Sequence, residues 1–588
     1  MRFRNLSKWN DSAHTAGLLF FAQLLEELLF DFSLDTYKAS VMQTGSLCSE
    51  AIRTIDDIEA GNIKEPNIWH VTSELCASFE KDSVAQALVP LPSGAFFGKL
   101  KNTRTPLKEL KDVLKLLLVQ LKPTSYRDKN EELLANEICG RQAHSEIRRL
   151  ARSYITTLVS TGYSQKYLHE TSLDFFWRGP GNIIDNAAIM EFFALIPRAH
   201  SSFTAIFHVD KLFAGAATAF DSLGMKIHET LPDNFETSKW PAFTSQAHGR
   251  IYAVVEKISA RDVYSARMEA ESRLKMGSTF LSLFHHKKEA CWSPDSIIIN
   301  EENSQQRKIS QPINSMHKCL DMREVLAAKQ LQLFMQDFSL ERQSFAKFIS
   351  SSRLHSMALA SDTEENQILN LWVALESLVP SETKSADTSN IEHITNSITP
   401  FLNFEYIERL LDNLVRDLLR WNHRATKTAL RNVPGKKFTH KLAKLLALQQ
   451  FSAELAQLEN SFRDFHLLRD RVGYFKSTLS SPEAVIDALK NHKQRLDWQI
   501  RRIYRTRNVI VHTGVTPDYT RTLIEHTHVY LDSILATLIK LASKPRVINS
   551  VGQGFKFIEL KYASYCAQLS DKNLEFDITN IERLLFDQ

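Results

Sequence analysis

The 588-residue chain carries 72 Lys and Arg against 68 Asp and Glu, a formal net charge of +4, with 43% hydrophobic and 24% charged residues. Its length exceeds what one core sustains and predicts roughly two to four domains, while the composition is that of an ordinary soluble globular protein. So small a net charge does not by itself signal nucleic-acid binding. The scattered Cys48, Cys76, Cys139, Cys291, Cys319 and Cys566 form no Cys-x-x-Cys and meet no His at zinc-ligand spacing. They exclude a disulfide framework, read as free thiols in a reducing compartment, and leave no expected metal or cofactor. Glycine supplies only 18 residues, under half its usual share of about 7%, which favours a mainly α architecture.

Residues 1–240 read as a mostly helical region, with apolar stripes over Leu18–Leu34, Leu107–Leu121, Glu131–Val159 and Phe203–Leu223. The run Gly17–Phe30 contains Glu26 and Glu27, is too short to span a bilayer and lacks a signal-peptide cleavage site, so a core helix of a cytoplasmic protein is expected, with no membrane partner. Gly94–Leu100 falls one residue short of a phosphate loop and has Leu100 where a hydroxyl is needed. The cluster Phe175–Asn182 reads as a buried aromatic anchor followed by a tight turn. Residues 241–311 predict a small α/β element: a strand at Ile251–Val255, a helix over Ala260–Leu274, a strand at Ser296–Ile299, and a polar linker at Glu301–Gln311. His285–Lys288 reads as a solvated turn.

Residues 312–545 predict a helical bundle. Ser361–Glu365 offers a capping box for a helix with the stripe Ile368, Leu371, Trp372, Leu375, Leu378 and Val379, and Ser381–Asn390 reads as a polar loop within the bundle. His526 and His528 fall two apart on a later helix, hence on different faces, which argues against joint ligation. Residues 546–588, including Phe555–Leu560, read as an accessory tail.

The most informative stretch is Ile503–Gly514, which sets Arg507, Asn508 and His512 into an otherwise apolar helical face formed by Leu496, Ile500, Ile503 and Ile510. An arginine on a buried stripe needs a paired acid, a cleft or an anion brought by a partner. Asn508 and His512 are one turn apart and therefore neighbours. These residue types suit cleavage of an RNA phosphodiester by its own 2′-hydroxyl. Arginine grips two phosphate oxygens and stabilises the transition-state charge, and histidine, with an ordinary pKa of about 6.5, moves protons at neutral pH. One histidine per chain fills one proton-transfer role at a time, so a two-fold dimer suits the chemistry.

The segment resembles the signature of the HEPN superfamily, an Arg followed by a His after four to six residues, and is most similar to its Apea-like branch. Arg353–Ala360 followed by Leu371–Leu378, with Trp372 and Glu376, resembles the opening helices of that branch, and Tyr519–Ser543 its closing helix. The likeness covers roughly residues 340 to 545. It implies a dimeric helical bundle that cuts RNA without a metal, in which Arg507 holds the scissile phosphate, His512 is the acid or base, Asn508 is the polar residue beside the Arg and Glu376 is a supporting acid. Arg505 also fits the permitted spacing, leaving the phosphate ligand open between the two arginines. The resemblance further suggests an antiphage or abortive-infection role, with the N-terminal region as sensor of a phage-derived activator and a transfer RNA or other host RNA as substrate.

Around the motif, Lys490, Lys493, Arg495, Arg501, Arg502, Arg505 and Arg507 face a single acid, Asp497, between Leu489 and His512. Such an excess suits a polyanion, with Arg501, Arg502 and Arg505 on phosphates and Trp498 and Tyr504 stacking on bases. The competing reading is an inert bundle that dimerises and binds RNA or protein, in which Arg507 pairs with Glu376 and His512 sits at a helix end.

Overall fold

In the computed structural model, residues 1–10, 14–30, 42–231, 235–245, 251–319, 321–381, 384, 389–571 and 573–586 are described. The end of the Leu18–Leu34 stripe and most of the Ser381–Asn390 loop lie outside them. The described chain is mostly helical and forms two compact units, Thr157–Ile313 and the remainder, Met1–Thr156 with Asn314–Gln588. No described helix is long and apolar enough to cross a membrane, and all six cysteines are free thiols.

The unit Thr157–Ile313 is built on an antiparallel sheet of β1 (Ser201–Val209), β2 (Met225–His228), β3 (Ile251–Ala260), β4 (Trp292–Asn300) and β5 (Gln306–Ser310), ordered β2-β3-β1-β4-β5. Alternation sends Phe203, Ala205 and Phe207 of β1 to one face, where they meet Ala266, Ala270 and Leu274 of the helix Val263–Ser282. Ile206 packs on the other face with Tyr252, Val254, Ile297 and Phe243. Asp262 starts the helix by accepting from the backbone N–H groups of Tyr264 and Ser265 while the Ser265 hydroxyl reciprocates.

Three expectations change in this unit. Phe203–Leu223 is not a helix: its first residues form the central strand β1, because pairing with β3 and β4 satisfies the backbone on both sides, and only short helical turns follow. The boundary at residue 240 falls inside the sheet, between β2 and β3. The expected linker Glu301–Gln311 contains the edge strand β5.

In the larger unit, residues 1–156 are not a separate N-terminal domain, because they share a fold with the C-terminal half. The Met1 amino group lies 2.8 Å from Asp417 and 3.6 Å from Glu27. Gln23 donates to the Asp464 carbonyl at 2.8 Å and accepts from the Leu467 N–H at 3.0 Å. The bundle core joins Trp372, Leu375, Ile398, Ile500, Ile503, Leu531 and Ile534 to Phe555 and Ile558. The segment after residue 545 is therefore part of the core rather than a tail: the helix Val551–Leu569 is drawn in by its apolar face, with the Phe555 ring 4.7 Å from that of Phe401. The expected capping box at Ser361–Glu365 does not form; Thr363 precedes the helix Glu364–Leu378 and its side chain caps nothing. Truncating a buried Phe of this kind costs about 3–5 kcal/mol, so Phe555→Ala is expected to lower the bundle's unfolding free energy by that amount in denaturant titration. An unchanged midpoint would return the segment to a loose tail.

Candidate functional site

The motif lies at the C-terminal end of one long helix, Pro482–Thr513. Ser481 caps its start by accepting from the Ala484 N–H at 3.2 Å, and Pro482 fills the first turn, where no N–H partner is needed. Gly514 ends it at φ +69°, a left-handed conformation that a Cβ disfavours, and donates its N–H to the Ile510 carbonyl at 2.9 Å. The loop that follows and the start of the next helix are tied to the Trp372 helix by hydrogen bonds from Thr516 to Glu365 and from Arg521 to Glu364.

The arginines of this helix separate into two groups. Arg502, almost fully buried, donates from Nε to both carboxylate oxygens of Glu50 at 3.1 Å and from Nη2 to Glu50 at 2.8 Å and Glu74 at 2.6 Å. Arg505, also buried, donates to Glu50 at 2.8 Å. Arg501 is buried against Asp497, Nε to Oδ1 3.0 Å. The expectation that Arg501, Arg502 and Arg505 bind RNA is thus overturned: their guanidinium groups are spent inside the fold, and Arg505 is not free to serve as phosphate ligand. Arg507 differs. It is half-buried, donates from Nη1 to Asn508 Oδ1 at 3.0 Å, and meets no carboxylate within 4.0 Å among the described residues, while its buried Nε, like that of Arg505, makes no hydrogen bond.

Burial alone pushes the Glu50 carboxyl up, but Arg502 and Arg505 outweigh it and hold it down at about 2. Glu74 is pushed up by burial, an effect that Arg502 only partly offsets and that the Glu50 charge reinforces. Two arginines and two glutamates therefore form one buried network between the helices Thr44–Glu59, Asn67–Phe79 and Pro482–Thr513.

Glu376 does not pair with Arg507 among the described residues. Its carboxylate accepts from Trp372 Nε1 at 3.1 Å, and the Trp372 ring lies 5.6 Å from that of Tyr504 on the motif helix. Tyr504 is thereby engaged with the core, and Trp498 is half-buried on the same helix. His512 is exposed in the last turn, flanked by the exposed Val511 and Val515. At about 100° and 1.5 Å per residue, Arg507 and His512 stand roughly 140° apart around the axis and about 7.5 Å along it. One helix presents the cation and the imidazole on well-separated faces, not on a single spot.

The exposed cations of the helix are Lys490, Lys493 and Arg495 near its other end. Lys490 and Lys493 line a cleft of about 490 Å³ with Asn396, Thr399, Glu559 and Tyr562. This cleft is roughly 30 Å from His512 along the helix and does not include the motif. A group with metal-ligating chemistry also escaped the sequence: His355, His528 and Asp532 bring three donor atoms within 4.8 Å of one another. Its only local signal was the one-turn spacing of His528 and Asp532.

Comparison with known family models, curated proteins and solved structures gives no match.

Removing one member of a buried ion network strands the others at a cost of about 3–5 kcal/mol, so Glu50→Ala is expected to destabilise the chain by that amount at neutral pH. Because the Glu50 carboxyl is held at about 2 against an ordinary 4.5, its contribution is complete above about pH 4.5 and lost as pH falls towards 2; the raised Glu74 works in the opposite sense. Acid titrations of unfolding should therefore show a shallower loss across that window in Glu50→Ala, and an identical slope would remove Glu50 from the account.

Proposed function

We propose that this chain is an endoribonuclease of the HEPN type, cleaving cellular RNA by attack of the 2′-hydroxyl without a metal in the reaction. The observation that carries the reading is the sorting of the motif arginines: Arg501, Arg502 and Arg505 are matched to acids, while Arg507 stays unmatched one residue from Asn508 and one helical turn and a half from an exposed imidazole. A half-buried cation without a carboxylate is ready for an anion that arrives with a ligand. In this reading Arg507 takes the scissile phosphate, Asn508 fixes the guanidinium, and His512 transfers a proton to or from the 2′- or 5′-oxygen. Glu376, held by Trp372, supports the packing beneath the motif helix rather than touching the RNA.

The wide angle between Arg507 and His512 favours a homodimer in which the motif ends of two helices face each other, so that each phosphate meets groups from both protomers. Val511 and Val515, exposed beside His512, suit such a contact. The buried ties from residues 1–156 to the motif helix give this N-terminal segment a mechanical hold on the site, which fits a cytoplasmic toxic nuclease released by an activator, phage-derived in an antiphage or abortive-infection role, with transfer RNA as one substrate class.

A second reading has its own observation. The basic cleft at Lys490 and Lys493 lies away from the motif, as expected of an inert bundle that dimerises and binds RNA or protein there.

The test is incubation of the purified chain and of His512→Ala with labelled RNA in excess EDTA. Fragments ending in 2′,3′-cyclic phosphate from the wild type, with at least a hundredfold loss in His512→Ala and an unchanged melting temperature, are expected. No cleavage by either protein, or loss of folding in the variant, would favour the inert bundle, and equal cleavage by both would remove His512 from the chemistry.

A further inference from the structure

His355 lies on the helix Arg342–Ala360, and His528 and Asp532 lie one turn apart on the helix Thr520–Ala542, so the two partners on the second helix share a face towards the first. His355 Nε2 is 3.3 Å from Asp532 Oδ1 and His528 Nε2 is 3.3 Å from Asp532 Oδ2. The two imidazole rings are 5.0 Å apart. A tetrahedral zinc site with bonds of about 2.0–2.1 Å has edges of about 3.3 Å between donor atoms; each imidazole stands at that spacing from one oxygen of the carboxylate, and the three donors lie within 4.8 Å of one another. The edges of a six-coordinate site with similar bonds are shorter, about 3.0 Å.

The usual alternative, a hydrogen-bonded His–Asp–His cluster, does not account for the geometry. His355 Nε2 is buried and makes no hydrogen bond, although a carboxylate oxygen lies at 3.3 Å. A buried polar nitrogen left unsatisfied needs an explanation, and a lone pair aimed at a shared cation supplies one. Burial lowers the pKa of both His355 and His528 from the ordinary imidazole value. Burial raises Asp532, with the charge of Asp321 adding to the rise and that of His355 opposing it. Asp321 also acts on His528, as does His317, and the Cys319 thiol lies 3.5 Å from Asp321. One divalent cation would balance the charges of Asp532 and Asp321. His528 closes the inner side of the cluster, while the Asp532 side chain is about half exposed at 47%, leaving a route for an ion.

We propose that His355, His528 and Asp532 form a binding site for one divalent transition-metal ion of the zinc class, cross-linking the opening and closing helices of the bundle. A water molecule supplies the fourth ligand, since the protein donors within 4.8 Å of one another among the described residues are these three. The site is separate from Arg507 and His512 in sequence and in helix, and it does not depend on the nuclease reading. Its effect is structural: binding the folded state and not the unfolded chain stabilises the bundle by mass action.

The full-length chain, stripped with a chelator and dialysed against Co²⁺, is expected to bind one ion per chain with the intense visible bands of four- or five-coordination, and Zn²⁺ should displace it and raise the melting temperature. His355→Gln and Asp532→Asn, each removing one ligand, should weaken binding by more than about tenfold and abolish the zinc-dependent rise. The half-exposed position of Asp532 makes its variant safe to fold, and the metal-free melting temperature checks this. Absence of stoichiometric Co²⁺, weak six-coordinate bands, or binding undiminished in both variants would overturn the proposal.

Discussion

The structure turns on one buried network, the pair of carboxylates Glu50 and Glu74 set against Arg502 and Arg505. Carrying four ionisable groups out of water is costly, and the cost is offset by the two-pronged pairing of Arg502 with Glu50 and by its bond to Glu74, with Arg505 adding one further bond to Glu50. The network fixes the rotation of the motif helix about its axis: with Arg502 and Arg505 drawn to the helices Thr44–Glu59 and Asn67–Phe79, Ile500, Ile503 and Ile510 face the bundle core and Arg507 is left half-buried. Burial of a polar set is a weak source of stability but a strong source of register, since any other rotation leaves charges unpaired.

That division gives the helix two roles. Its middle is structural, held by ion pairs on one side and by Trp372 and Tyr504 on the other. Near its C-terminal end Arg507 pairs with no carboxylate among the described residues and His512 is exposed, while Ile510 between them packs in the core. The proton-transfer role proposed for His512 needs a rigid support, and the left-handed Gly514 together with the Thr516 and Arg521 anchors gives the helix end that support.

Much of this was legible in the sequence where the signal was local. The stripe through Leu496, Ile500, Ile503 and Ile510 predicted a buried helix, the β-branched runs at Ile251–Val255 and Ser296–Ile299 predicted strands, and the scattered cysteines predicted free thiols; all three are seen. Failures came where long-range pairing decides. Phe203, Ile206 and Phe207 fit a helical stripe as well as a strand, and only neighbours in β3 and β4 select the strand. Seven basic residues beside one acid looked like a polyanion surface because Glu50 and Glu74, far away in the chain, are invisible to a local charge count. The His355, His528 and Asp532 cluster is hidden from the sequence for the same reason: His526 is the neighbour of His528 along the chain, whereas His355 is its neighbour in space.

The central claim is that the motif arginines divide between fold and chemistry, and a paired comparison of Arg505→Ala with Arg507→Ala tests it most directly, reading denaturant midpoint and RNA cleavage on the same samples. The account predicts that Arg505→Ala is destabilised by about 3–5 kcal/mol, whereas Arg507→Ala keeps the wild-type midpoint and loses cleavage. An Arg507→Ala protein as destabilised as Arg505→Ala, or one that is stable and still cuts RNA at the wild-type rate, would contradict it.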